Sequence, residues 1–131
     1  MKKKFLLLII LCFSVFLAPN FSKASEIPED VLEKALIKLL QEPISLVVGA
    51  DWFRGNEKIL EIKQDEENID IFNVKVQVVS FQGPHTPPYM EEIITFKIVG
   101  NKIKPTDYFN RVIPEEEWHK FQLQYPLCVY R

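Results

Sequence analysis

Residues 69–99 read IDIFNVKVQVVSFQGPHTPPYMEEIITFKIV, and the fold turns on how this run divides. From Phe72, apolar residues fall on every second position through Val74, Val76 and Val78; they do so again at Ile94, Phe96 and Ile98. A period of two belongs to a strand with one buried face. Between the two runs stand Gly83, Pro84, Pro87 and Pro88. Proline fixes φ and carries no N–H, and it pushes the residue before it toward extended geometry. The spacing predicts two antiparallel strands joined by a stiff connection, longer than the two residues a tight hairpin needs and unable to continue a strand ladder. Ile69 and Ile71 lie in the opposite phase to Phe72, so a bulge or bend is expected near Phe72–Asn73.

Working outward, EKILEIKQ (57–64) is a compact β-rich segment with poor alternation, and DEEN (65–68) is a polar turn. Downstream, Gly100-Asn101 marks a hairpin turn. KIKPTDYF (102–109) is then a last strand that Pro105 consigns in part to an edge. A short helix is expected after Pro114, with Glu115–Glu117 in its first turn. Upstream, a helix starts at Ser25 or Glu26 with Pro28 in its first turn. Val31, Leu32, Ala35, Leu36, Leu39 and Leu40 make its apolar stripe, with Glu33, Lys34 and Lys38 facing away. Pro43 is expected to end or kink it; PISLVVGADWFRGN (43–56) is read as a second helix closed by Gly55-Asn56. The sum is an α+β domain: an N-terminal helix or helices packed on a four-stranded antiparallel meander, in the manner of a cystatin-like or NTF2-like half-cone. There is no βαβ unit, internal repeat or glycine-rich phosphate loop.

The N-terminus carries an address. Lys2–Lys4 precede an apolar run from Phe5 to Ala18, and Ser22 and Ala24 stand at the −3 and −1 positions of a cleavage site. A basic end, an apolar core and small residues at the cut make a secretory signal peptide over residues 1–24. The apolar core is shorter than the ~20 residues of a membrane span, although retention as an uncleaved anchor is the alternative. Residues 25–131 are expected to form a single exported domain, secreted or held at the cell envelope. Loss of Lys2, Lys3, Lys4 and Lys23 leaves twelve basic residues against eighteen acidic ones, a net charge of −6. No lysines or arginines cluster along the mature sequence. Nucleic acid and purely electrostatic attachment to an anionic surface are therefore not expected; membrane contact is expected only through an uncleaved signal peptide. Cys12 leaves with that peptide, and Cys128, in YPLCVYR (125–131), reads as a small buried hydrophobe.

With these elements placed, KILEIK (58–63), VKVQVVSFQGPHTPPY (74–89) and EIITFKI (92–98), preceded by ALIKLLQEPI (35–44), resemble the DUF3888 family. The resemblance covers about 35–99, with a domain core taken to about residue 112 and a tail, 113–131, that has no counterpart in it. It implies a small exported protein of Bacillus-type Gram-positive organisms, and it implies no activity. Thr86 and Met90 stand where the family string has Asn and Gly.

Gly83, Pro84, His85, Pro87, Pro88 and Tyr89 are the candidate binding residues. A preorganised connection loses little entropy on binding, and His85 and Tyr89 would present polar tips from it; the alternative is that His85 bonds a carbonyl and Tyr89 packs across the sheet edge. No catalytic residues are assigned, since no nucleophile–base–acid signature occurs. No cofactor or metal is expected. His85 and His119 are the only histidines, and neither they nor Glu91, Glu92 and Glu115–Glu117 have ligand spacing. The expected function is a non-catalytic binding module with an unknown protein or envelope ligand as partner. The alternatives are a small hydrolase or metal-dependent enzyme using Asp51, Asp107 or His119 in a helix–sheet pocket, and a purely structural envelope protein.

Overall fold

A computed structural model of the chain describes residues 26–83 and 86–123. The expected signal peptide, the pair Pro84–His85 and the segment containing Cys128 lie outside the described residues. One helix, α1 (Glu29–Val48), precedes four strands, β1 (Phe53–Gln64), β2 (Ile71–Gly83), β3 (Thr86–Val99) and β4 (Lys102–Val112), and a 3-10 helix, Glu115–Phe121. The strands pair antiparallel in the order β1-β2-β3-β4, the expected meander.

The helix is single where two were expected. It starts at Pro28, whose carbonyl accepts the N–H groups of Val31 and Leu32 at 3.0 and 3.2 Å, and runs through Pro43 to Val48. The carbonyl that loses its donor at Pro43 is that of Leu39, on the outer side of the helix where solvent reaches. Ile44, Val47 and Val48 beyond the proline pack on the sheet and hold the helical path. Gly55-Asn56 therefore closes no helix; it lies inside β1.

The buried stripe is also rotated from the expected one. Leu40 and Ile44 are fully buried and Leu36, Val47 and Val48 partly so, whereas Leu39 is 73% and Leu46 81% exposed. Glu33, expected to face away, turns to the sheet and accepts the Ile59 N–H at 2.8 Å. Gln41 supplies its carbonyl to Arg54 at 3.2 Å. The helix is thereby tied to β1 by polar contacts at both Ile59 and Arg54.

The bulge expected at Phe72–Asn73 is absent: β2 and β3 stay in register from Ile71↔Val99 to Phe81↔Tyr89. The phase change marks the start of the strand, because Ile69 belongs to the turn and is 69% exposed. In that turn Asp65 Oδ1 accepts the N–H groups of Glu67 and Asn68, both at 3.0 Å. The irregularities fall on β1, which gains residues relative to β2 between Gly55 and Lys58 and between Ile59 and Glu61. That is why EKILEIKQ alternates poorly. Asn56 takes a left-handed φ of 53° in the first bulge, a conformation asparagine tolerates better than most residues. Pro105 lies on the edge strand β4, as expected, beside a third bulge.

Both faces of the sheet carry a core. On the helix side, Val74, Val76, Val78, Ile94 and Phe96 meet Leu40 and Ile44. On the other side, at the β2–β3 hairpin end, Val79, Phe81, Tyr89 and Ile113 are buried under Trp118, Phe121 and Leu123. The expected helix after Pro114 is this short 3-10 helix. Asn56 Nδ2 reaches from the β1 bulge to the Phe121 carbonyl at 2.5 Å, fastening it to the sheet.

Candidate functional site

The proline-rich connection is built differently from its sequence reading. The ladder continues into it: Gly83 pairs with Thr86, and Pro87 and Pro88 belong to β3. Between Phe81↔Tyr89 and Gly83↔Thr86, β3 has one residue more than β2, so the two prolines occupy a bulge. A bulge is where a strand tolerates residues without a donor N–H. The Pro87–Pro88 bond is cis. Thr86, Pro87 and Pro88 are exposed. A Cβ at Gly83 would meet Thr86 Oγ1, so a larger residue there requires the Thr86 side chain to turn.

Tyr89 is not a surface tip. It is 1% exposed, with its ring edge-on to Phe81 at 5.9 Å and to Trp118 at 5.1 Å. Its carbonyl accepts the Ile113 N–H at 2.9 Å, which joins the end of β4 to the same point. The exposed residues Thr86–Pro88 are therefore followed at once by a buried aromatic anchor. Burial raises the Tyr89 hydroxyl above the usual phenol pKa. Of the six candidate residues, Pro87 and Pro88 are surface groups, Gly83 is half-buried, Tyr89 is buried, and Pro84 and His85 lie outside the described residues.

Two neighbouring carboxylates escaped the sequence reading as structural centres. Glu91 and Glu92, 6% and 4% exposed, point to opposite faces of the sheet, as alternation requires. On the helix side, Glu92 accepts the Ser80 hydroxyl at 2.6 Å and the Tyr108 hydroxyl at 2.7 Å. Asn110 Nδ2 donates to Tyr108 at 3.2 Å. Burial, and then the hydrogen bond to Glu92, push the Tyr108 hydroxyl up to about 12. On the other side, Glu91 takes the Arg111 guanidinium at 2.6 Å and the Gln77 amide, and Arg111 reaches on to Glu117 at 2.9 Å. The Arg111 hydrogen bonds hold the Glu117 carboxyl below the usual carboxylate range. This chain links β2, β3, β4 and the 3-10 helix beside the Tyr89 anchor. The legible signal for Glu92 was its phase, since it shares parity with Ile94 and Phe96.

The residues of the enzymatic alternative are not gathered together. Asp51, Asp107 and His119 are all exposed; Asp107 accepts the N–H of Tyr108 at 3.0 Å. No hydrogen bond or ion pair joins the three. Among the described residues, no group of three or more His, Cys, Asp or Glu side chains could hold a metal ion, and no helix is long and apolar enough to cross a membrane.

The fold defines a class: a one-helix α+β domain with an open four-stranded antiparallel meander. Within it, the chain belongs to the DUF3888 family, described as a protein of unknown function, whose family model matches residues 29–110. The matched span takes in α1 and nearly all of the sheet and ends before the 3-10 helix that covers Tyr89. No curated protein matches the chain, and no solved structure does.

Proposed function

We propose that this domain is a non-catalytic binding module working at the cell envelope or outside the cell of a Gram-positive bacterium, after removal of residues 1–24. Its contact surface is the hairpin end, Gly83 to Pro88, with the adjoining edge of the sheet, and its partner is a protein or an envelope ligand. The observation that carries this reading is that exposed Thr86, Pro87 and Pro88 run directly into Tyr89, which is buried and anchors the end of β3. Two prolines in a pinned bulge have little conformational freedom left to lose, so a partner meets a surface already in its bound shape. Tyr89 belongs to the support and not to the contact.

The test separates surface from support. The variant His85→Ala, Pro87→Ala, Pro88→Ala, with Tyr89 kept, is compared with wild type in quantitative pull-downs from envelope fractions. Loss of at least one component enriched by wild type, with the thermal midpoint little changed, is the expected outcome. A folded variant that retains every enriched component and every cellular phenotype would sink the reading.

A further inference from the structure

The register assembles what the sequence scatters. On the face of the sheet opposite α1, the cross-strand row Lys63↔Asn73↔Lys97↔Lys104 spans all four strands. The adjacent rows add Lys75, opposite Glu61 and Thr95, and Lys102, opposite Val99. Parity confirms the face: Lys75 lies between buried Val74 and Val76, and Lys97 follows buried Phe96. Lys97, Lys102 and Lys104 line one shallow depression together with Val99, Pro105 and Thr106. Lys63 donates to Glu61 at 2.9 Å; that bond first, and then the fields of Lys63 and Lys75, hold the Glu61 carboxyl below its usual range. Against these five lysines the same rows carry only Glu61 and Asp107. Among the described residues, the cover of this face, Trp118, Phe121 and Leu123, packs on its other half, around Phe81 and Tyr89.

The arrangement is costly in the free domain. Like charges directly opposite on neighbouring strands, as at Lys97↔Lys104, are destabilising. Lysines on a sheet edge commonly block edge-to-edge pairing, which accounts for Lys102 and Lys104 on β4. It does not account for Lys75 and Lys97, which stand on the central strands. The protein as a whole is acidic, with a net charge of −2, so this face runs against the overall charge.

We propose that the lysine-bearing half of this sheet face docks on the surface of an anionic phospholipid bilayer. Charge complementarity names the sign of the partner, and the side-chain chemistry names the kind. The row contains lysines and no arginine: strongly hydrated point charges suited to a diffuse layer of headgroups, without the planar fork that reads a single phosphate in fixed geometry. They lie across a sheet roughly 14 Å wide, from three strand spacings of ~4.8 Å. Phe109, 51% exposed on the same face, borders the charged rows with half-buried Ile93 opposite it and supplies an apolar group for the headgroup boundary. This surface is separate from the proline ridge, so the two proposals stand or fall apart.

Co-sedimentation with phosphatidylcholine vesicles, with and without phosphatidylglycerol, tests it on the mature chain, residues 25–131. The variant Lys63→Gln, Lys97→Gln, Lys104→Gln is set against Lys34→Gln, Lys38→Gln, Lys120→Gln, which removes the same charge elsewhere. The first variant should lose affinity for the anionic vesicles on the order of a hundredfold and match wild type on the neutral ones; the second should bind at least tenfold more tightly than the first. Equal losses in the two variants, or none, overturn the proposal. So does tighter binding of wild type to soluble polyphosphate or a single-stranded oligonucleotide than to the vesicles. If the variant fails to fold, lysine acetylation of the wild type decides: vesicles should protect Lys97 and Lys104 but not Lys34, and uniform labelling overturns the docking surface.

Discussion

Tyr108 and Glu92 show what a part-buried polar contact does at the scale of one residue. Folding raises the Tyr108 pKa to about 12 through burial and its bond to Glu92, so the neutral phenol is the form the native state favours. That stability is fully present below the unfolded phenol pKa of about 10 and is lost as pH rises toward 12. Unfolding free energy should therefore fall over this window, and Tyr108→Phe should flatten the fall; an unchanged slope in the variant would show that another group is responsible. Glu92 has a second dependant in Ser80, which is fully buried. Glu92→Ala strands that hydroxyl at a cost of about 1–3 kcal/mol, whereas Glu92→Gln, which keeps an acceptor, should cost less in urea denaturation. Part of this was legible: Glu92 shares strand parity with the core residues Ile94 and Phe96. Its partners were not, because pairing Ser80 and Tyr108 with it takes the registers of β2 and β4, which alternation alone does not set.

At the scale of elements, the helix and β1 depart furthest from their sequence patterns, for physical reasons. The apolar positions of α1 outnumber those that one face can bury, so periodicity admitted two stripes. Glu33 and Arg54 settle the rotation by bonding across to β1 and to the helix. Leu40→Ala should accordingly cost about 2–5 kcal/mol, and Leu39→Ala and Leu46→Ala less than about 1. Equal costs would mean that the helix is turned the other way. Proline in a helix interior is about 3 kcal/mol worse than alanine. Pro43→Ala should therefore raise the urea midpoint; a proline sitting between two helices would give no gain. Strands are legible in the sequence where one face is buried without interruption, as in β2 and β3. The pattern is obscured in β1, where two bulges break the period of two.

Across the whole molecule, sequence-distant residues meet to make both candidate surfaces. The aromatic cluster next to Pro87 and Pro88 in β3 joins Phe81 and Tyr89 to Trp118, which lies beyond the residues matched by the family. Trp118→Ala should destabilise the domain by about 2–4 kcal/mol and weaken partner capture at the hairpin end, although it alters no ridge residue. The lysine face is a second case. Lys63, Lys75, Lys97 and Lys104 are spread over three turns of the chain, and only the meander registers bring them to one side. The measurement that bears most directly on the binding-module reading is a saturation isotherm of the chain on washed Gram-positive envelopes, for wild type and for His85→Ala, Pro87→Ala, Pro88→Ala, at equal thermal stability. Saturable wild-type binding that the variant weakens tenfold or more is the predicted result; superimposable isotherms would contradict it.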